Sequence, residues 1–441
     1  MGLPVVPQGN QESIIWDILL WISVEPGEEL LRMSSERIEM DREAHWPLLA
    51  FQGFLALCML VPVTLPVPVL RVLVHERFGV SEFETSLFMS INMLGAVLAA
   101  PLVGSWADRR GRRRVILLWA LVLDALCFFL LMSPVSFPVF MGVRFLEGAA
   151  HIAALSMLLS IASTSVSADH RGRALGIVGA GLLLGVALGA PVGGWLGQTD
   201  PLRPLLAGGL LLLLTMMIAF FFLRDSDLRE APEEPTSGGL MLALRTQPRI
   251  IVPLLFAFAD RFTVGFYTTT FSLFLSRVYG LGPQQIGLMI VSFMLPFAVL
   301  SYPFGMLSER TSRVGLLAIG SLLYGLGTAS LVLWSPAELP FVMAAIGVAA
   351  AVMFVPTMVL TTEYASDELR STALSAFNAA GSLGFIVGPV TGGLISQSFG
   401  SDGEWLAGYR AAFGVAGGFE ILLVFLALPF LRLGRRTRLS G

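Results

Sequence analysis

Twelve separate stretches of roughly twenty apolar residues decide what this chain can fold into, because a helix needs about that length to cross the hydrocarbon core of a bilayer. They run near 47–70, 85–104, 115–134, 137–163, 174–196, 204–223, 250–275, 286–307, 314–334, 340–362, 373–396 and 409–431. No alternating ten-residue segments separate turns as they would in a membrane barrel, so the stretches are read as helices. Composition agrees. Charged residues make up 13% of the 441-residue chain, about half the usual share of a soluble domain. A disordered chain, a coiled coil and an ordinary cytosolic enzyme are excluded, and a polytopic all-α membrane protein remains.

The basic residues orient it. With the 105–114 loop placed in the cytoplasm, the cytoplasmic loops and C-terminal tail hold 18 Arg, and the opposite side holds five, namely Arg71, Arg77, Arg203, Arg277 and Arg410. That asymmetry follows the positive-inside rule. An even number of spans then puts both termini in the cytoplasm. The charged segment 224–249, with Pro, Ser and Gly at its centre, divides the spans six and six as a linker would. The expected organisation is an acidic N-terminal tail (1–46), a six-helix bundle (47–223), the linker (224–249), a second six-helix bundle (250–431) and a basic tail (432–441). In the first tail, the apolar run Ile14–Ile22 is too short to span and reads as a short interfacial helix or a plain tail.

The inventory removes several chemistries. All 28 basic residues are Arg, so there is no Lys for a nucleotide-binding P-loop or a Schiff base. No two of the four His have zinc-site spacing. Cys58 and Cys127 lie in apolar stretches and imply no disulfide framework. A net charge of −3 suggests no nucleic-acid partner. No basic-then-apolar leader pattern is seen at the N-terminus. No cofactor, metal or nucleotide is expected. The absence of Lys fits a high-GC genome, hence the plasma membrane of a bacterium, its inner membrane.

The halves repeat. Phe78-Gly79 matches Tyr279-Gly280 at an offset of 201, and the sequence from Gly104 matches that from Gly305 at the same offset. Gly185, Gly189, Gly193, Gly194 and Gln198 match Gly384, Gly388, Gly392, Gly393 and Gln397 at an offset of 199. Two parallel six-helix repeats around one cavity make a transporter architecture.

Residues 104–114 read GSWADRRGRRR. The segment resembles the signature loop of the major facilitator superfamily, GxLADRxGRR, through Gly104, Ala107, Asp108, Arg109, Gly111, Arg112 and Arg113, with Trp106 in the usual Leu position. Here Gly104 permits close helix approach, Gly111 a tight turn, and Asp108 sits ionised among arginines. The resemblance implies that this loop latches the two halves on the cytoplasmic side. In the fifth stretch Gly185, Gly189, Pro191, Gly193 and Gly194 resemble the family's antiporter motif GxxxGPxxGG, with Pro191 displaced by one position. The eleventh carries the pattern intact in Gly384, Gly388, Pro389, Gly392 and Gly393. Glycines four apart make a flat packing face, and the family associates the motif in the fifth helix with proton-coupled exporters. Arg144-Phe-Leu-Glu147-Gly148 resembles the family's RxxQG pattern, with Glu in place of Gln.

Candidate site residues follow from depth. Arg144, Glu147 and His151 are three and four apart and share a helical face, roughly 10, 15 and 21 Å below the start of their stretch. Ionisable residues so placed face a cavity or a partner. Arg144 and Glu147 can neutralise each other, and His151 can take up a proton near neutral pH. Asp260 and Arg261 lie near the midplane but point about 100° apart, so one is expected at the cavity and the other against a helix. Asp260 is the expected proton carrier of the second half. Gln52, Asn92, Tyr267 and Asn378 could hydrogen-bond substrate or join helices. Asp124 and Glu420 read as peripheral, and Glu363 as the partner of a loop Arg.

The expected protein is a twelve-helix secondary transporter, most simply an exporter of a small organic molecule exchanged for protons, working as a monomer in the lipid bilayer. An importer or facilitator of a nutrient is the alternative, and a non-transporting sensor on the same scaffold a further one.

Overall fold

The computed structural model describes residues 28–110, 112–166, 171–223, 244–366, 369–400 and 404–436; side chains at 28–45, 105, 107–110, 171–173, 371 and 428–436 are not described. Of the gate-loop residues expected above, Gly111 and the side chains of Asp108 and Arg109 lie outside the described residues. So do Ile14–Ile22 and most of the linker. The chain forms two compact units, 1–51 and 52–441. In the first, described residues are helical from Glu28.

The helices are α1 Glu28–Thr64, α2 Glu82–Arg110, α3 Arg113–Leu131, α4 Phe137–Thr164, α5 Arg171–Leu196, α6 Arg203–Phe222, α7 Ile251–Thr268, α8 Thr270–Val278, α9 Pro283–Arg310, α10 Arg313–Ser330, α11 Leu339–Glu363, α12 Arg370–Phe399 and α13 Trp405–Arg436. Among the described residues there is no strand. Twelve spans are long and apolar enough to cross a membrane, α7 and α8 together making the seventh. Their ends depart from the sequence expectation by up to four residues, as at Trp405 where 409 is expected.

The break in the seventh span, at Thr269, is not visible in the apolar pattern. Both Thr268 and Thr269 hydroxyls donate to the Gly265 carbonyl, at 3.0 and 2.9 Å. Side-chain hydroxyls thus compete for the acceptor a continuous helix would use. Among the described residues Gly79 and Gly280 are the glycines with positive φ, 65° and 64°, which L side chains rarely adopt. They follow the first and seventh spans, so the sequence repeat is also a backbone repeat.

Glycines set how the bundles are built. A Cβ at Gly185 would lie 2.5 Å from the Leu57 carbonyl, and at Gly189 and Gly193 it would overlap the Val61 and Leu65 carbonyls. These three seat α5 on the first span. Gly384 and Gly388 abut the Phe258 and Phe262 carbonyls in the same way, seating α12 on α7. The second glycine of each pair faces elsewhere: Gly194 abuts the Pro283 carbonyl and Gly393 abuts Ser86, both in the other bundle. Adjacent residues point about 100° apart on a helix, so one Gly-Gly pair serves both seams. Pro389 packs on Gly265 within its bundle, whereas Pro191 packs on Gly287 of the other bundle. The one-residue displacement noted in the sequence is that same rotation. At Gly104 a Cβ would meet nothing within 4 Å among the described residues.

Candidate functional site

One site is a polar cluster inside the first bundle, where α2, α3 and α4 meet. Arg144 and Glu147 form an ion pair with side chains 0% and 1% exposed. Asn92 Nδ2 donates to the same Glu147 oxygen that Arg144 contacts. Arg144 Nε donates to the Phe88 carbonyl at 3.3 Å, and the guanidinium lies 4.1 Å from the Phe88 ring centroid. Close helix approach makes this possible: a Cβ at Gly148 would overlap the Asn92 carbonyl, and one at Gly95 the Phe145 carbonyl. The Gly of the RxxQG-like pattern therefore brings Asn92 within reach of Glu147.

One turn further, His151 Nδ1 lies 3.0 Å from Asp124 Oδ2. Asp124 is fully buried. It is the member the sequence reading set aside as peripheral, since a lone Asp in an apolar stretch says nothing about which way it points. Ligating atoms of Asp124, Glu147 and His151 lie within 4.8 Å of one another, close enough to share one cation, and the Arg144 guanidinium already supplies a positive charge there. Asp124 Oδ1 and His151 Nε2 are buried with no hydrogen-bond partner. Charge counting is decisive in such a dry site. Two carboxylates face one Arg, and the cluster is neutral when it holds one further proton.

The second bundle holds Asp260 and Arg261 on α7. These neighbours meet as an intrahelical pair, while Asp260 borders a recess and the Arg261 stem packs on Gly381 of α12. The Arg261 side chain folds back so that Nε lies 3.6 Å from Asp260 Oδ2, with its guanidinium 5.0 Å from the Phe354 ring centroid. A long flexible stem overcomes the 100° between adjacent Cβ directions. Asp260 lines a small recess with Phe256, Met353, Phe354 and Thr357. The other candidates fall out as follows. Gln52 donates to Ser165 Oγ at 2.9 Å, and Tyr267 bonds Thr328 Oγ1 at 2.5 Å; both join helices within their bundle. Asn378 is exposed. Glu363 pairs with Arg313, as expected. In the Arg-rich loop Arg112 is exposed, Arg113 Nη1 lies 3.4 Å from Thr164 Oγ1, and Arg114 Nη2 donates to the Phe220 carbonyl at 2.5 Å.

A third feature has no signal in the motifs. At the end of the molecule away from the Arg-rich loops, the bundles are tied together. Glu82 pairs with Arg277 and accepts from the Tyr409 hydroxyl at 3.1 Å. Arg277 stacks 3.8 Å above the Trp405 ring centroid. Ser272 Oγ donates to the Val67 carbonyl at 2.7 Å, Ser90 Oγ to the Ile386 carbonyl at 2.8 Å, and Gln397 Oε1 accepts from the Phe83 amide at 3.0 Å. Glu82 is buried while two partners from the other bundle converge on it. Glu82→Gln removes the charge on which Arg277 is seated. The expected result is a longer mean distance between spin labels on the loops at this end of the two bundles; an unchanged distance distribution would count against a latch.

A sequence model of the family described as "Major Facilitator Superfamily" matches residues 53–275 and 253–440. The chain is 26% identical over 235 residues to "Tetracycline resistance protein, class B" of Escherichia coli, covering 51% of this chain and 57% of that protein. So the match spans little more than half the length of that relative. It is 26% identical over 376 residues to "Multidrug resistance protein MdtG" of Salmonella choleraesuis (strain SC-B67), covering 83% of this chain and 90% of that protein. Among solved structures, a bacterial homologue of the human lysosomal transporter Spinster, captured inward-facing and occupied, superposes with a TM-score of 0.73 at 17% identity, covering 89% of this chain and 97% of that one.

Proposed function

The chain belongs to the Major Facilitator Superfamily, and on that premise we propose that it exports a small organic molecule in exchange for protons. The observation that carries this reading is the α2–α4 cluster. In a water-poor interior its Asp124, Glu147, Arg144 and His151 reach neutrality with one proton more than the ion pair alone supplies. Gain or loss of that proton changes the charge of the bundle interior by one, and a charge there is expensive. A step that brings the cluster towards one side of the membrane or the other is therefore biased by protonation. His151 is the group that takes the proton, Asp124 the partner that holds its ring, and Glu147 the link to Arg144 and Asn92. Relatives that carry resistance in their names support an outward direction.

In this reading the two bundles rock about a midplane cavity bordered by Asp260, Arg261 and Asn378. The outer ties through Glu82 make this the inward-facing state, and the Arg-rich loop closes the opposite side in the other state. The protein sits in the inner membrane of a bacterium with both termini in the cytoplasm and acts as a monomer.

Everted membrane vesicles with a respiration-driven pH gradient test it. The probes are tetracycline and a panel of lipophilic cations, neutral drugs and organic acids, followed with a pH-sensitive dye. Wild type is expected to discharge the gradient when a transported compound is added, and Glu147→Gln and His151→Leu to lose that discharge per inserted molecule, with Glu147→Gln recovered in smaller amount because Arg144 loses a buried partner. Flux of a compound that ignores both the gradient and both substitutions would overturn proton coupling. Accumulation driven in the opposite sense would make the protein an importer.

A further inference from the structure

Away from the helix ends, each bundle has one Arg and two acids among its described span residues: Arg144 with Asp124 and Glu147 in the first, Arg261 with Asp260 and Glu420 in the second. The first bundle has His151 to carry the balancing proton. The second has no His at all. Its extra proton has only carboxylates to bind.

Glu420 lies on α13, facing α10, where its Cβ is 3.0 Å from the position a Cβ would take on Gly325. It is 0% exposed, and neither carboxylate oxygen has a hydrogen-bond partner. Tyr324, the residue before Gly325, is also fully buried with its hydroxyl unpartnered. Asp260 and Tyr324 lie within electrostatic reach of Glu420. Asp260 Oδ1 and Thr263 Oγ1 are buried and unpartnered as well. Among the described residues no cation pairs with Glu420. Arg261 is engaged with Asp260 and is 28% exposed. The membrane-depth parts of α11 and α12 carry no charged residue, α10 offers only Tyr324, and Tyr302 of α9 is exposed. On α13 itself Arg410 is about ten residues away, roughly 15 Å along the axis. An ionised carboxylate in such a place would keep almost none of its hydration and gain no partner, whereas the neutral acid costs far less.

We propose that Glu420 is a second proton-binding site, internal to the second bundle and separate from the α2–α4 cluster, and that it is a neutral carboxylic acid in the conformation seen. The site stands whether or not the first cluster drives export.

Infrared difference spectra of the purified protein in lipid nanodiscs test this without a substrate. Wild type at neutral pH is expected to give the carbonyl stretch of a protonated carboxylic acid, shifted on exchange into heavy water. Glu420→Gln removes that band, and Asp260→Asn keeps it. If the Gln variant fails to insert, Glu420→Met replaces a neutral acid by an apolar side chain of similar volume and serves the same purpose. Absence of the band in wild type overturns the proposal without any variant. So does a band that survives at Glu420→Gln and disappears at Asp260→Asn, which would place the proton on Asp260. A vesicle assay that failed to find antiport would leave either infrared result intact.

Discussion

Arg144→Leu removes most of the folded protein. The substitution deletes the Arg that answers two buried carboxylates, Glu147 and Asp124, and it also strips the Phe88 carbonyl and ring of their partner. Breaking one side of a buried ion pair costs about 3–5 kcal/mol, because the surviving charge is left bare. That is a large part of the roughly 5–15 kcal/mol by which a typical folded domain is stable. The protein is expected to be recovered from membranes at a small fraction of the wild-type amount and to melt well below it in detergent. Arg144→Leu with Glu147→Leu is expected to recover much of the loss, since removing a whole buried pair is milder than removing half of it. Transport remains absent in both. Fluorescence-detected size exclusion and a melting series in one detergent decide the matter. A single Leu variant as stable as wild type would mean that the pair is not the electrostatic centre of the bundle.

Gly287→Trp has the opposite profile, with a folded protein that does not turn over. Gly287 sits on α9 where that helix crosses α5, and a Cβ there would already lie 2.5 Å from the Ala190 carbonyl and 3.0 Å from Pro191 Cα. Overpacking of this kind costs about 1–3 kcal/mol or more, and here the cost falls only on the state in which the outer ends meet. A difference of about 1–3 kcal/mol moves an equilibrium roughly 5- to 150-fold. The outer end is therefore expected to stand open and transport to fall by at least about tenfold, while the amount and melting temperature of the protein stay near wild type. Gly142→Leu is the control, since a Cβ at Gly142 meets nothing within 4 Å. Spin-label distances across the outer ends should lengthen for Gly287→Trp and stay unchanged for the control. Equal transport in the two variants would show that the α5–α9 seam does not open and close.

Much of this was legible in the residues. Twelve apolar stretches are a one-dimensional property, set by the thickness of the hydrocarbon core, and the helices follow them closely. The repeat was legible because both halves keep the same glycines, and those glycines are the points where backbones touch. Arg144, Glu147 and His151 stood out because charge at that depth needs a reason. Less was legible wherever the answer depended on a side chain's partner in a distant part of the chain. Asp124 and Glu420 look alike in sequence, each a single acid in an apolar helix. One meets His151 on the neighbouring helix, and the other sits against Gly325 with no hydrogen-bond partner among the described residues. Asp260 and Arg261 looked incompatible by Cβ direction, and the Arg stem joined them.

Twelve membrane crossings, the repetition of the halves and the family resemblance can all be read from the residues in order. Local hydrophobicity and glycine spacing act through neighbours along the chain, so they can be read along it. Which buried charges meet, which are left over, and which end of the bundles is tied through Glu82, Arg277 and Tyr409 emerge from the packing of the helices. Those depend on contacts between helices tens to hundreds of residues apart, where a rotation of about 100° moves a side chain from one bundle to the other.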